Sequence, residues 1–251
     1  MIPKIKISIE KIDEYKELLE FVFLDDNIFK NSSFYFYPEL KEILNNSKNK
    51  KKDLFIFFKN YEKQHEVELK NLSNRLEKLW NKYNDKFMKI FEEINEIKWT
   101  NKRKIFDVKI TLSPLCPRFL DENLFYVFYK FDDKKLIEVI LHEISHFIFF
   151  EKFKEIYPEV DSSNFESPNL IWKFSEIMPG IILQDKRFQD LYKIEEISVY
   201  DIIKKIKIKD RLILDIFKEF YEKKENFVDF VIKSYDLIKK NEEEFNSQFK
   251  V

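Results

Sequence analysis

The spacing of apolar residues changes several times along the chain, and each change marks a new element. Residues 3–9, PKIKISI, alternate Ile with Lys and Ser at period two, which predicts a half-buried strand. From about 10 to 24, EKIDEYKELLEFVFL returns to helical spacing. Residues 31–52 are broken by NSS, Pro38 and NNSKNKKK and predict one short helix near 38–45. After Asp53 comes the longest periodic stripe, with Leu69, Leu72, Leu76, Leu79, Tyr83, Phe87, Phe91 and Ile94 at steps of three and four. It predicts a long amphipathic helix or two in series, forming one side of a bundle rather than a coiled-coil arm.

The pattern then turns β-like. KIFDVKITLS (104–113) and LFYVFYKF (124–131) are rich in β-branched and aromatic residues and flank PLCPRFLDEN, whose two prolines do not fit inside a regular ladder. Two strands joined by an irregular loop follow, with 3–9 as a third strand. Next, Asp132 and Asp133 suit the N-cap and first turn of a helix over about 133–154. Ser167 and Pro168 mark another helix start, MPG (178–180) a kink, and further helices are expected near 189–205, 209–222 and 225–247. The expected fold is α+β and predominantly α-helical, with an N-terminal mainly helical part (1–100) and a second part (101–251) forming one compact unit.

Composition narrows the chemistry. There are 28 Phe, 12 Tyr and 3 Trp and no Ala, so the core is filled by rings. Gly180 is the single glycine, which excludes the Rossmann fingerprint, the P-loop and the nucleophile elbow, each of which needs two or more. A formal net charge of −1 gives no footprint for nucleic acid, and the one basic run, NSKNKKK (46–52), reads as a solvated loop. The lone Cys116 fits a reducing compartment, the N-terminus has no apolar leader, and no apolar stretch approaches the ~20 residues that span a bilayer. A soluble, cytoplasmic protein without membrane or nucleic-acid partners is expected.

One stretch stands apart: VILHEISHFIFF, residues 139–150, holds two of only three histidines inside an apolar run. Buried polar groups cost a few kcal/mol each unless partnered, so something must satisfy them. Residues four apart share one face of a helix, so His142 and His146 can hold one Zn²⁺ at roughly 2.0–2.1 Å. Glu143 then lies beside the metal, where a carboxylate can take a proton from water acidified to a pKa of roughly 7. With three His in 251 residues, HExxH arises by chance with a frequency on the order of a few in a thousand. The third histidine, His65 in EKQHEVE, lies far upstream in a polar helix and reads as a surface residue.

Residues 104–185 resemble the zincin metallopeptidases, in which a small sheet precedes the HExxH helix and an edge strand aligns the substrate backbone. The order strand, strand, helix is similar, and leaves open which strand is the edge. Metzincins have Gly and His after the second histidine, where this chain has Phe149 and Lys152, so that branch is excluded. The resemblance is therefore to gluzincins, whose third ligand is a carboxylate on a following helix. It implies Glu176, the one acid in an apolar helical stretch, with Glu159, Asp161 and Glu166 as the alternatives. Thermolysin-like enzymes carry an Asp four residues after the ligand Glu. Here that position is Gly180, so support for the ligands is expected from Asp185 or Asp201, and oxyanion stabilisation from Tyr192 or Tyr200. A Cys116 ligand, as in peptide deformylases, is disfavoured because PLCPR lacks their preceding Gly.

The expected function is zinc-dependent hydrolysis of peptide bonds in a peptide or protein substrate, with Glu143 as general base and the helices of 10–98 walling a cleft. The competing expectation is a non-catalytic zincin-fold binding or regulatory module. An intact Glu143 argues against it, because a structural zinc site is closed by a fourth ligand and needs no adjacent base.

Overall fold

The structure is a computed structural model that describes residues 1–25, 30–194 and 199–249. In chain order it runs through strand β1 (Lys4–Ile9) and helices α1 (Lys16–Glu20), α2 (Lys30–Phe36), α3 (Pro38–Asn46), α4 (Lys50–Gln64), α5 (Glu66–Asn81) and α6 (Asn84–Asn95). Strands β2 (Ile105–Thr111), β3 (Arg118–Phe119) and β4 (Leu124–Phe128) follow, then the longest helix, α7 (Asp133–Ile156). The rest comprises α8 (Leu170–Ile177), α9 (Pro179–Ile182), α10 (Lys186–Leu191), a hairpin of β5 (Lys207–Ile208) and β6 (Arg211–Leu212), and α11 (Ile213–Glu222), α12 (Phe227–Lys240) and α13 (Glu242–Gln248). The protein is α+β and mostly helical.

Backbone contacts divide the chain into two compact units, each discontinuous in sequence. One comprises residues 3–84 and 103–140, the other 1–2, 85–102 and 141–251, so α7 contributes residues 133–140 to the first and 141–156 to the second.

The first unit is organised by a sheet of order β1-β2-β4-β3. β1 runs parallel to β2 with Ile5 opposite Phe106 and Ile7 opposite Val108, and β2 runs parallel to β4 with Ile110 opposite Val127. β1 alternates exposed Lys with buried Ile, as expected for an edge with one wet face, whereas the inner strand β4 is buried from Phe125 to Phe128. The prolines of 113–117 fall outside regular pairing, and the two residues of β3 pair antiparallel with β4. At the end of β2 both backbone groups of Leu112 are satisfied by tyrosines: Tyr37 donates its hydroxyl to the carbonyl (2.6 Å) and the N–H donates to Tyr15 Oη (3.1 Å). α5 lies along β1, and Trp80 donates to Asn84, which in turn donates to the Pro3 carbonyl.

The second unit is helical, with ring-on-ring packing: Phe149, Phe153, Phe174, Phe217 and Tyr235 meet between α7, α8, α11 and α12. Within it α6 places Phe87 and Phe91 against Phe188 of α10.

Several expected elements are subdivided. The helix of 10–24 is a 3-10 turn (Ile12–Tyr15), α1 and a π-helical turn (Phe21–Asp25), yet Ile12, Tyr15, Leu19, Val22 and Phe23 all stay buried, so one apolar face survives the change of winding. The long stripe after Asp53 becomes three helices, broken at His65 and at Lys82–Tyr83. α2 forms where NSS suggested a break. The expected helix 189–205 ends at Leu191; its residues 195–198 lie outside the described part, and a 3-10 turn occupies Ile203–Lys205. The hairpin β5–β6 replaces the start of the helix expected from 209, turning on Lys209 and Asp210, both left-handed with φ of 50° and 64°.

Candidate metal centre

Local sequence explains why α7 starts and what it carries. Asp132 Oδ1 accepts from the Lys135 N–H at 2.8 Å, the side-chain cap expected of an Asp at that place. Asp133, in the first turn, takes both carboxylate oxygens to Arg75 Nε at 3.0 Å. From Leu136 onward nearly every residue is buried, so the histidines ride on a helix anchored by Ile140, Leu141, Ile144, Phe147 and Ile148. Ser145, fully buried among them, is satisfied by donating to the His142 carbonyl at 2.6 Å.

Glu176 arrives from α8. Phe174, two residues before it, packs edge-on against Phe149 of α7 at 5.3 Å and lies near Phe153, which fixes α8 across the histidine-bearing stretch. The carboxylate is then held in place: Glu176 Oε2 lies 3.7 Å from both His142 Nε2 and His146 Nε2, which are 3.1 Å from each other. These three are the only residues of their kind among the described ones whose ligand atoms converge so. Three bonds of about 2.0–2.1 Å to a tetrahedral Zn²⁺ put ligand atoms about 3.3 Å apart, so separations of 3.1 and 3.7 Å fit a common ion. Burial points the same way. Glu176 is 1 % exposed and His146 has no exposed surface, and a carboxylate so placed needs a nearby cation or proton to offset its desolvation.

Glu143 is buried and lies outside the converging trio. The alternatives to Glu176 are all on the surface. Glu159 and Glu166 are exposed, and the exposed Asp161 caps the 3-10 turn Ser162–Phe165 through the Ser163 N–H at 2.8 Å, hydrogen bonds that hold its carboxyl below the usual range. Between these residues and Glu176, Phe165 stacks on Phe150 at 4.4 Å, and Phe150 lies near-parallel to the His146 ring at 6.2 Å.

The residues expected to support the ligands are committed elsewhere. Asp185 receives Arg187 Nε and Nη2 at 2.8 and 2.9 Å and the Tyr221 hydroxyl at 2.5 Å, and caps α10 through the Arg187 N–H. Burial opposes its ionisation, but these hydrogen bonds win and hold its carboxyl at about 2. Asp201 is 86 % exposed and paired with Lys204 at 2.9 Å. Neither was distinguishable in sequence from an acid that orients a histidine, because partner choice depends on tertiary placement. Tyr192 sits edge-on to Phe87, and Tyr200 is half-buried with its carbonyl accepting from Ile203. His65 stacks on Tyr61 and Cys116 lies beside the Pro114 carbonyl; neither belongs to the cluster. A residue that sequence reading passed over is Glu138, buried one turn before His142 with Lys135 Nζ at 3.8 Å; its i, i+4, i+8 spacing with the two histidines was the available signal.

Searches against protein-family models, curated proteins and solved structures find no match to this chain. No helix among the described residues is long and apolar enough to cross a membrane.

Proposed function

We propose that this chain is a zinc-dependent metallopeptidase of the zincin type, similar in its ligand set to gluzincins, in which His142, His146 and Glu176 hold the metal and Glu143 is the general base. The observation that carries the reading is the convergence of two imidazole Nε2 atoms and one buried carboxylate oxygen within 3.7 Å, next to a second buried carboxylate that the trio does not use. The sheet of β1, β2, β4 and β3, followed directly by the HExxH helix, supports it as the element order of that superfamily.

Zinc bound there would supply a Lewis acid that polarises the scissile carbonyl and acidifies water. The protein's own part is positional and protonic. His142 and His146 present Nε2 from one helical stripe, and Glu176 offsets charge from the opposite side. Glu143 accepts a proton from the attacking water as its oxygen bonds to the carbonyl carbon, then returns that proton to the amine nitrogen as the C–N bond breaks. Water, proton and leaving amine balance without any further reagent. The substrate is a peptide or protein chain, and the lone cysteine fits action in a reducing cytoplasm.

Glu143→Gln tests the mechanism. One zinc per chain should be retained by elemental analysis, while cleavage of a quenched-fluorescence peptide library falls by about 10²–10⁴-fold. Retained turnover in that variant would refute the role of Glu143. Wild-type protein that binds zinc but neither cleaves peptides nor takes a hydroxamate inhibitor would instead identify a non-catalytic binding module.

A further inference from the structure

In the first unit, independent of the metal centre, three tyrosines surround one cation. Lys130, exposed on the segment that joins β4 to α7, places Nζ 4.2 Å from the ring centre of Tyr37, 5.3 Å from Tyr61 and 5.8 Å from Tyr129. One of its N–H groups donates to the Phe36 carbonyl at 2.5 Å, and among the described residues no carboxylate pairs with it.

The rings hold one another without help from the lysine. The Tyr37 hydroxyl is tied to the Leu112 carbonyl at 2.6 Å, and Tyr129 donates to Tyr61 Oη at 2.6 Å. Tyr61 and Tyr37 meet in a T-shaped pair at 5.3 Å, and the Tyr61 ring is stacked on His65 at 3.9 Å with the planes 9° apart. His65 is itself fixed by Nδ1 against the Tyr61 carbonyl at 2.8 Å. Burial pushes the Tyr37 and Tyr129 hydroxyls well above the ordinary phenol range, so these two rings offer neutral π faces. Such faces attract a cation through their quadrupole, and the attraction grows as the cation is more easily stripped of water.

A primary ammonium is a poor tenant by that standard. It is compact and strongly hydrated, and only one of its three donors has a carbonyl partner here. A methylated ammonium carries the same charge with less water to shed. We propose that Tyr37, Tyr61 and Tyr129 form a preorganised binding site for a quaternary ammonium group, and that Lys130 is its displaceable occupant in cis. The ligand class is a trimethylated ammonium, whether on a lysine side chain or a choline headgroup.

The probe is tetramethylammonium chloride, titrated into the full-length protein at constant ionic strength while tyrosine ring resonances are followed. Lys130→Ala should bind it about tenfold tighter than wild type, whereas Lys130→Arg, which keeps a cation in place, should not. Adding Tyr61→Leu to Lys130→Ala should abolish the gain; if that double variant does not fold, the Ala-against-Arg comparison decides alone. Equal affinity in Lys130→Ala and Lys130→Arg, or binding that survives loss of the Tyr61 ring, overturns the proposal. Nε-trimethyllysine and phosphocholine, titrated into Lys130→Ala, separate the two sources by which binds more tightly, and failure of both overturns the ligand class.

Discussion

Two imidazole Nε2 atoms 3.1 Å apart face each other at no cost only when a proton on one of them or a cation lies between them, and a buried carboxylate facing both would be costly alone. Their convergence within 3.7 Å makes Glu176 the residue on which metal affinity should turn. Glu176→Gln keeps the shape and removes the charge; it should weaken zinc binding by at least about 10–100-fold in chelator competition, while Glu166→Gln on the exposed turn leaves affinity unchanged. Equal affinity in the two variants would remove Glu176 from the ligand set. The convergence of His142, His146 and Glu176 was legible as a candidate cluster because helical period and local polarity encode it: a His–His pair at i, i+4, and one acid in an apolar stretch. What each remaining acid bonds was not legible. Asp185 shows this, and its pairing has a pH consequence. Its folded pKa of about 2 lies below the unfolded value of about 3.9, so its contribution to stability is complete above pH 4 and is lost as pH falls through 2. Tyr221→Phe removes the 2.5 Å hydrogen bond and should raise the Asp185 pKa, moving that loss to higher pH. Carboxyl ¹³C NMR titration reads this directly, and an unchanged Asp185 pKa would show that Arg187 acts alone.

At the scale of elements, the centre depends on how α8 is wedged against α7. Phe174 makes ring contacts with Phe149, Phe153, Phe217 and Tyr235 and has no exposed surface, so it sets the height at which Glu176, half a turn on, meets the histidines. Phe174→Ala should cost about 3–5 kcal/mol in urea unfolding, and should also weaken zinc binding because the carboxylate loses its support. Phe174→Leu, which keeps most of the volume, should restore affinity more fully than stability. A Phe174→Ala protein with wild-type zinc affinity would mean that Glu176 is placed by something other than this packing. Helix existence was readable from period, but helix ends were not. The stripe from Leu69 to Ile94 passes through the break at Lys82–Tyr83 without losing phase, so no change of pattern marks it. The hairpin at 207–212 was hidden for a different reason: its turn uses Lys209 and Asp210 in the left-handed region, where glycine or asparagine would have signalled it.

Across the whole molecule, the connection hardest to read was the one that closes the sheet. β1 pairs in parallel with β2 across a separation of about a hundred residues filled by helices, and neither strand's composition names the other as its neighbour. The alternation in PKIKISI said only that one face would be buried; the register, Ile5 beside Phe106 and Ile7 beside Val108, came from three-dimensional packing. That pairing also makes β1 protective. β2 is buried at Phe106, Val108 and Ile110, and without β1 its outer row of N–H and C=O groups would become a flat, apolar edge open to another chain. A chain lacking residues 1–9 should therefore lose cooperative unfolding or self-associate, while Lys4→Glu and Lys6→Glu, on the exposed positions of the same strand, should leave a monomer. Size-exclusion chromatography with light scattering and thermal unfolding measure both. A monomeric truncated chain with an unchanged melting temperature would show that the helices alone hold β2, and that β1 is an ornament on a sheet complete without it.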